Sequence, residues 1–580
     1  MPAVDDATER RIQEDIRLLK NLRSRGLLPL ITAEDRPDLP RLSDVQGDVI
    51  YGFPKSVERF LFFRIVNPEL FKAGLRNPDF KPTSSQDVKA NLLKIAKARD
   101  DAKLAGGEVT RVPLLQYQIA FSRTGLYAIG INGDTGDERF DKYCMRDNRV
   151  FLGDQGQWDY LFDKPDYNEQ DGSVHDIKNA RALHGVFVIA GDTDEDCTAV
   201  TEHLKRIFEL SMEIPEQGVV DGQARPGKHR HDEHFGYKDG ISQPAIRGLG
   251  VPLPGQILVD PGVIIAGFKG DPALSKRPEW AKNGAMMVFR KLEQSVVEWE
   301  NYMLENGQNY QNVPGGKAGV NPPLSQEDGA RLLGARLIGR WKSGAPIALK
   351  ETSLKDDPGL GGNPNKNNNF DYSVHGVPSV SAEMPSDYYC PFTAHSRKVA
   401  PRNLDPYVAR QYLESGSIIR AGIAYGPEVS SAERDAGKDS EKEDMKRGLL
   451  FNCYASHLNS GFVRQATGYG SNDFFPITGL TPNNHGQDPI IGGPPRKGSS
   501  EEERGASLDD PTSSFTDGRQ VDLKLRVPND TFNTYRVSGH VEVRPVTQAK
   551  VNFPFFVTSR GGEYFFVPSI PTLKSWGNSQ

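Results

Sequence analysis

A chain of 580 residues carries 71 Lys and Arg against 77 Asp and Glu, a net charge of −6, with no basic stripe of the kind nucleic-acid binding needs. Its four cysteines, Cys144, Cys197, Cys390 and Cys453, are too few and too scattered for a disulfide framework, form no C-x-x-C pair and read as buried thiols. No window approaches the roughly 18 apolar residues of a membrane span, and the N-terminus lacks the basic and apolar regions of a secretory signal, which points to residence inside the cell or unconventional export, with a mature secreted form as the alternative.

In chain order, Ile12, Ile16, Leu19 and Leu22 recur at helical spacing between Asp5 and Gly26 and predict an amphipathic helix in an N-terminal extension over residues 1–44. Phe60 to Val66 is a short aromatic and β-branched run that reads as a strand, and Gln86 to Leu104 returns to helical spacing. Leu115 to Phe121 and Gly185 to Ala190 read as strands, and Asp194 to Leu210 as a helix headed by Asp and Thr. The rhythm restarts with a strand over Ala285 to Arg290, a helix over Leu292 to Glu305, and strands over Ser417 to Tyr425 and Gly448 to Tyr454. The pattern predicts an α+β protein built on a duplicated unit, a first half over 45–250 and a second over 251–580. Val429 to Lys446 and His485 to Gln520 are rich in Ser, Gly, Pro and charge and read as solvated insertions in the second half.

Three segments look built for chemistry. In His234-Phe-Gly236-Tyr-Lys-Asp239-Gly240-Ile-Ser-Gln-Pro244 one carboxylate is framed by glycines that let the backbone turn tightly beside a flat ligand. The plain alternative is that Asp-Gly is a common turn dipeptide. His395 follows Pro391 and Phe392 and precedes Arg397 and Arg402. An imidazole is the usual proximal ligand of haem iron, and haem also needs apolar walls and guanidinium partners for its two propionates. A surface imidazole and surface arginines are the ordinary reading of each taken singly. Arg420 sits in an apolar strand and must find a buried anion or face solvent on an edge. A competing reading is a zinc-dependent hydrolase built on His229-Arg-His231-Asp-Glu-His234, whose clustered imidazoles approach a metal-ligand pattern, although Lys228 and Arg230 oppose a cation there.

Taken together, the three segments resemble the dye-decolorizing peroxidase family, in its larger, fungal-type and related bacterial branch. Gly236-Tyr-Lys-Asp239-Gly240 matches the G-x-x-D-G signature, Cys390 to Arg402 is similar to the proximal histidine segment, and Arg420 stands where a distal arginine would. The likeness runs from Val45-Gln-Gly-Asp48 through Arg340-Trp-Lys-Ser-Gly344 to Arg560-Gly-Gly-Glu-Tyr564 and beyond to Ile570. The resemblance implies two ferredoxin-like halves with antiparallel sheets and peripheral helices, and haem b held mainly by the second. It implies His395 as the iron ligand, with Asp488 of Gln487-Asp-Pro-Ile-Ile-Gly492 as its acidic partner. It implies hydrogen peroxide as oxidant: Asp239 moves its proton from the inner to the outer oxygen while Arg420 stabilises the charge as the O–O bond breaks. Leu449 and Phe451 would wall the distal pocket. The reducing substrates implied are dyes and phenols too bulky for a buried iron, so that electrons would enter through a surface aromatic residue. Nineteen tyrosines and five tryptophans are available, among which Tyr425 and Tyr454 flank the distal segments. A carboxylate with an ordinary pKa of ~3.9 still acts as a base at acidity that protonates a histidine, which implies activity at acidic pH.

Overall fold

The structure, a computed structural model, describes residues 38–578 apart from 108–110, 155–156, 164–181, 308–323, 374–388, 403, 405–407, 473–474, 477–486, 493–520, 526–534 and 540–555. The helix expected between Asp5 and Gly26, and the second insertion, His485 to Gln520, apart from residues 487–492, lie outside the described residues.

The first half runs β1 (Val57–Ile65), α1 (Ser85–Ala105), β2 (Gln116–Phe121), β3 (Gly185–Gly191), α2 (Asp194–Ile207) and β4 (Val219–Gln223). The second runs β5 (Ala285–Gln294), α3 (Val296–Gly307), α4 (Gln326–Ile338), the short α5 (His395–Val399), β6 (Ile419–Arg420), β7 (Ile423–Tyr425), β8 (Gly448–Ala455), a π-helix α6 (Asn459–Gly470), β9 (Val557–Val567) and α7 (Ile570–Asn578). The strand order is β2-β3-β1-β4 in one half and β7-β8-β5-β9 in the other, antiparallel throughout. Each half is therefore one βαββαβ unit with its strands in the order second, third, first, fourth, the ferredoxin-like arrangement.

The two sheets join edge to edge where Phe566 of β9 pairs with Phe121 of β2, giving one sheet of ten strands. At the far ends, Gly222 of β4 lies against β7 so closely that a Cβ there would stand 2.3 Å from Ile423 Cγ2. The sheet thus curls until its ends meet, which hides both edges. One apolar core fills the space between the halves with Phe60, Phe62, Phe289 and Phe565, while Phe187, on the opposite face of its sheet, packs against Phe63 and Phe208, all buried. A second core, with Phe235, Trp299, Leu332, Leu333 and Trp341, lies under α3 and α4.

The structure corrects several boundaries. The strand expected to end at Arg290 continues to Gln294, and the helix expected from Leu292 begins at Val296. Leu292 is bonded into a ladder on both sides, opposite Leu449 and Ser559, and two neighbouring strands override a local helical spacing. The strand expected over Ser417 to Tyr425 breaks at Ala421-Gly422 into β6 and β7. The insertion over Val429 to Lys446 is not simply solvated. Ser430 caps a helix over Ser431–Ala436, and buried Glu433 takes two hydrogen bonds from Arg447, at 2.7 and 2.9 Å, pinning the excursion to the head of β8.

Candidate active site

Strand parity sets the cavity. Along β8, Leu449 and Phe451 face it, while Asn452 and Tyr454 reach the other way. The Tyr454 hydroxyl donates to the buried Asp48 carboxylate and accepts from Gln118 of the first half. Alternate residues of a strand lie on opposite faces, so Leu449 and Phe451 stand as walls of the cavity and Tyr454 does not. Tyr454 is fully buried and Tyr425 nearly so, and neither is the surface relay that their sequence positions suggested.

On one wall, the segment after Gly236 turns through Gly240, at φ +76°, a conformation that glycine adopts freely. The turn presents Asp239 to the cavity, where its carboxylate accepts from the Gly240 amide at 2.6 Å and pairs with the Arg420 guanidinium. Arg420 therefore finds its anion and does not face solvent. Burial pushes the Asp239 carboxyl up, but Arg420, the Gly240 amide and His395 together outweigh it and hold the carboxyl below its ordinary value. Gln243, four residues on, secures the pair. Its side-chain oxygen accepts from the Arg420 amide at 3.0 Å and its amide donates to the Arg420 carbonyl, copying a strand partner on the side of Arg420 away from β8. The segment that carries the carboxylate thereby also fixes the backbone of the guanidinium.

On another wall, His395 opens α5. Its Nδ1 lies 2.8 Å from Asp488 Oδ2. Asp488 is fully buried, and its other oxygen accepts from the amides of Ile490 and Ile491 at 2.8 and 3.1 Å. The head of the second insertion is thus docked, with the Asp488 amide donating to Gly470 at the end of α6 at 2.8 Å. Burial opposes charge on the imidazole, and the Asp488 carboxylate overcomes this and raises its pKa above the ordinary value. With Nδ1 held by Asp488, Nε2 is the nitrogen left to meet a ligand.

Arg397 does not reach the cavity, a correction to its expected place. Two residues along a helix turn by about 200°, so with His395 facing the cavity Arg397 points behind it. Its guanidinium lies between the rings of Tyr372 and Phe392, 4.3 and 4.2 Å from their centres, and donates to the Cys390 carbonyl. Arg402 does line the cavity, and beside it is Arg340, which the sequence reading passed over as a functional residue. Both donate to the side-chain oxygen of Asn368, at 2.9 and 2.7 Å. Arg402 also donates to the carbonyls of Gly255, Asn368 and Phe370, and Arg340 to those of Gly344 and Asn367. Burial lowers the pKa of each, that of Arg340 to about 9 with Arg402 as the second cause. Among the described residues neither has a carboxylate at ion-pairing distance, and Arg402 Nε is buried without a partner. Two adjacent cations satisfied only by neutral oxygens suit an anionic ligand group. The signs of Arg340 in the sequence were its place in the Arg340-Trp-Lys-Ser-Gly344 run of the resemblance and a charge just past the apolar end of α4.

The alternative metal cluster is not assembled. His234 is buried against the Tyr425 carbonyl at 2.8 Å, and His229 is paired with Asp232 at 2.9 Å. Among the described residues no three His, Cys, Asp or Glu side chains are placed to hold a metal ion, and no helix is long and apolar enough to cross a membrane.

With imidazole on one wall, a carboxylate and guanidinium on another, apolar side chains between and two further arginines in the lining, the residues fit a haem. A family model described as the DyP dimeric alpha+beta barrel domain matches residues 44–226. The chain is 35% identical over 561 residues to a dye-decolorizing peroxidase of Auricularia auricula-judae, covering 96% of this chain and 90% of that one. An ancestral D-type dye-decolorizing peroxidase superposes with a TM-score of 0.73 at 34% identity, over 93% of this chain and all 100% of the other. A dye-decolorizing peroxidase in complex with 2,6-dimethoxyphenol superposes with a TM-score of 0.68 at 33% identity, again over 93% and 100%.

Proposed function

The chain belongs to the dye-decolorizing peroxidase family, a family of haem-dependent enzymes, and from that premise we propose that it reduces hydrogen peroxide at haem b and oxidises dyes and phenols in one-electron steps. The observation that carries the reading is the facing of two ready-made pairs, His395 with Asp488 and Asp239 with Arg420, across one cavity. Haem, when bound, would supply the redox chemistry that couples two-electron reduction of peroxide to one-electron oxidation of substrates. His395 would hold the iron through Nε2, with Asp488 keeping its imidazole oriented and electron-rich. Arg340 and Arg402 would hold the propionates.

Asp239 is the proton carrier. Its carboxylate, kept ionised by Arg420, accepts the proton of the inner peroxide oxygen and delivers it to the outer one, so that water leaves. Arg420 places positive charge beside the oxygen on which negative charge grows as the bond breaks. Leu449 and Phe451 leave room for a small oxidant and exclude bulky aromatic substrates, which give up electrons from outside the cavity. The phenol held by the solved relative is the substrate class to try first.

Absorption spectra of the haem-loaded protein before and after peroxide, followed by addition of 2,6-dimethoxyphenol, test the reading. A Soret band that changes with peroxide and returns with the phenol is the expected result. A colourless protein that takes up no haem would sink the proposal, and one with a Soret band indifferent to peroxide is a carrier. Two residue assignments can be tested in the same material. Asp488→Asn keeps the shape and loses the charge, so the ferric/ferrous potential rises as the imidazole becomes a poorer donor. An unchanged potential means that Asp488 serves only to dock its loop. Arg402→Leu removes one charge-assisted anchor, worth about 1.5–3 kcal/mol, and speeds haem loss by roughly 10- to 100-fold. Arg402→Lys recovers only part of this, because an ammonium cannot reproduce the guanidinium fork. Haem loss at the parental rate in both variants removes Arg402 from the haem site.

A further inference from the structure

The cavity extends well past Leu449 and Phe451, and its far end changes character. In the sheet, Arg290 lies opposite Phe451, Leu292 lies opposite Leu449 and Ser559, and Gln294 lies opposite Val557. All of these residues line the same cavity, and so does Asp154, which follows the short helix Arg149–Leu152 of the first half. Arg290 and Asp154 form an ion pair there. Arg290, Gln294 and Ser559 are 7%, 6% and 6% exposed, and the Asp154 side chain is 6% exposed.

Each of these four side chains has a buried polar atom without a partner among the described residues: Arg290 Nε, Asp154 Oδ2, Gln294 Oε1 and Ser559 Oγ. Buried polar atoms are costly unless they are hydrogen-bonded. Four of them along one wall of one cavity, spread over the stretch of β5 from Arg290 to Gln294, call for small molecules that can donate and accept at once, each bridging neighbouring groups. The set offers one N–H donor, two oxygen acceptors and a hydroxyl that serves as either. Its charges cancel within the Arg290–Asp154 pair, so a neutral guest is preferred to an anion. Hydrogen peroxide, with two O–H donors and lone pairs on both oxygens, matches this set, and water matches it in the absence of peroxide. The end is also tied to the reacting groups. The Gln294 amide donates to Glu233, and Glu233 accepts from the amides of Phe235 and Tyr237 at 2.8 Å each, on the segment that leads directly into Asp239.

We propose that this polar end, formed by Asp154, Arg290, Gln294 and Ser559, is a holding site for hydrogen peroxide that supplies the Asp239–Arg420 pair. The proposal rests on the peroxidase reading above. It assigns a role to residues of β5, β9 and the first half that touch neither the axial histidine nor the distal pair in the contacts described.

The test uses the haem-loaded enzyme and follows the Soret band in stopped flow after mixing with peroxide or, separately, with cyanide, a small ligand whose binding involves no turnover. Ser559→Ala removes one of the hydrogen-bonding groups without filling the space, and Ser559→Leu fills it. The expected result is a peroxide rate constant about tenfold lower in Ser559→Ala, the weight of one hydrogen bond, with cyanide association nearly unchanged. In Ser559→Leu both fall, at parental haem content. Equal rates for parent and both variants overturn the proposal. Loss in Ser559→Leu alone overturns it too, since it marks a passage that binds nothing. If Ser559→Leu does not fold, Ser559→Ala decides the matter by itself. A parent enzyme that takes up no haem, or whose Soret band ignores peroxide, overturns the peroxidase reading, a failure distinguishable from parental rates in the variants.

Discussion

Replacing Asp239 by Asn slows the reaction of the haem-loaded enzyme with peroxide by about 10²–10⁴, the usual weight of a placed acid–base group, while haem content stays at the parental level. The amide keeps the shape and the contact with the Gly240 amide but cannot take a proton. The pH dependence carries a second, independent expectation. Burial works to raise the Asp239 carboxyl, and Arg420 with the Gly240 amide and His395 more than compensates, so its pKa lies below the ordinary value. The ionised base is present above that pKa and is lost as pH falls through it, so the parental enzyme keeps its rate at acidities where an ordinary carboxylate begins to protonate. In Arg420→Leu the main compensating charge is gone and burial is opposed only by the Gly240 amide and His395, so the acid limb of the rate profile moves to higher pH. That variant also reacts more slowly at every pH through lost charge stabilisation. Stopped-flow rates over a pH series check both statements. An acid limb that stays put in Arg420→Leu would show that the ion pair does not tune the base, and parental rates in both variants would remove the pair from the reaction.

Replacing His395 by Ala removes the iron ligand and with it most of the haem. Purified protein then shows a haem-to-protein absorbance ratio far below the parental one, or a Soret band of altered ligation. The contrast with Asp488→Asn is informative, because there the imidazole remains and only its electron donation declines. Full haem content with an unchanged Soret band in His395→Ala would reassign the ligand. Other residues set the geometry around this site, so the fold serves as a control: α5 packs against α6 and α4, and an unchanged far-UV spectrum separates loss of ligation from loss of structure.

The expected division into two α+β halves is seen in the strand order of each. Periodicity alone located β1, β2, β3, β5 and β8, because in each a run of β-branched and aromatic residues is bounded by turn or helix signals. It failed where long-range pairing decides, as at Leu292, where ladders from β8 and β9 extend a strand through a stretch that reads locally as a helix. It also failed at Arg397, since nothing in the sequence revealed the five-residue helix whose phase turns Arg397 away from the cavity that His395 faces.

The information legible along the chain is local: a carboxylate between glycines that must turn, an imidazole after Pro391 and Phe392, and a strand whose parity puts Leu449 and Phe451 on one face and Tyr454 on the other. Which of these groups meet follows from long-range folding. Asp239 reaches Arg420 across 181 residues, and His395 reaches Asp488 across 93. A polar residue in isolation reads as solvated, because water is its default partner. It becomes a cavity wall only when the fold removes that water and supplies another partner, as it does for Asp488 and Arg420. Arg340 and Arg402 show the remaining case, in which folding takes the water away and meets the charge with neutral oxygens alone, an arrangement suited to an anionic ligand group.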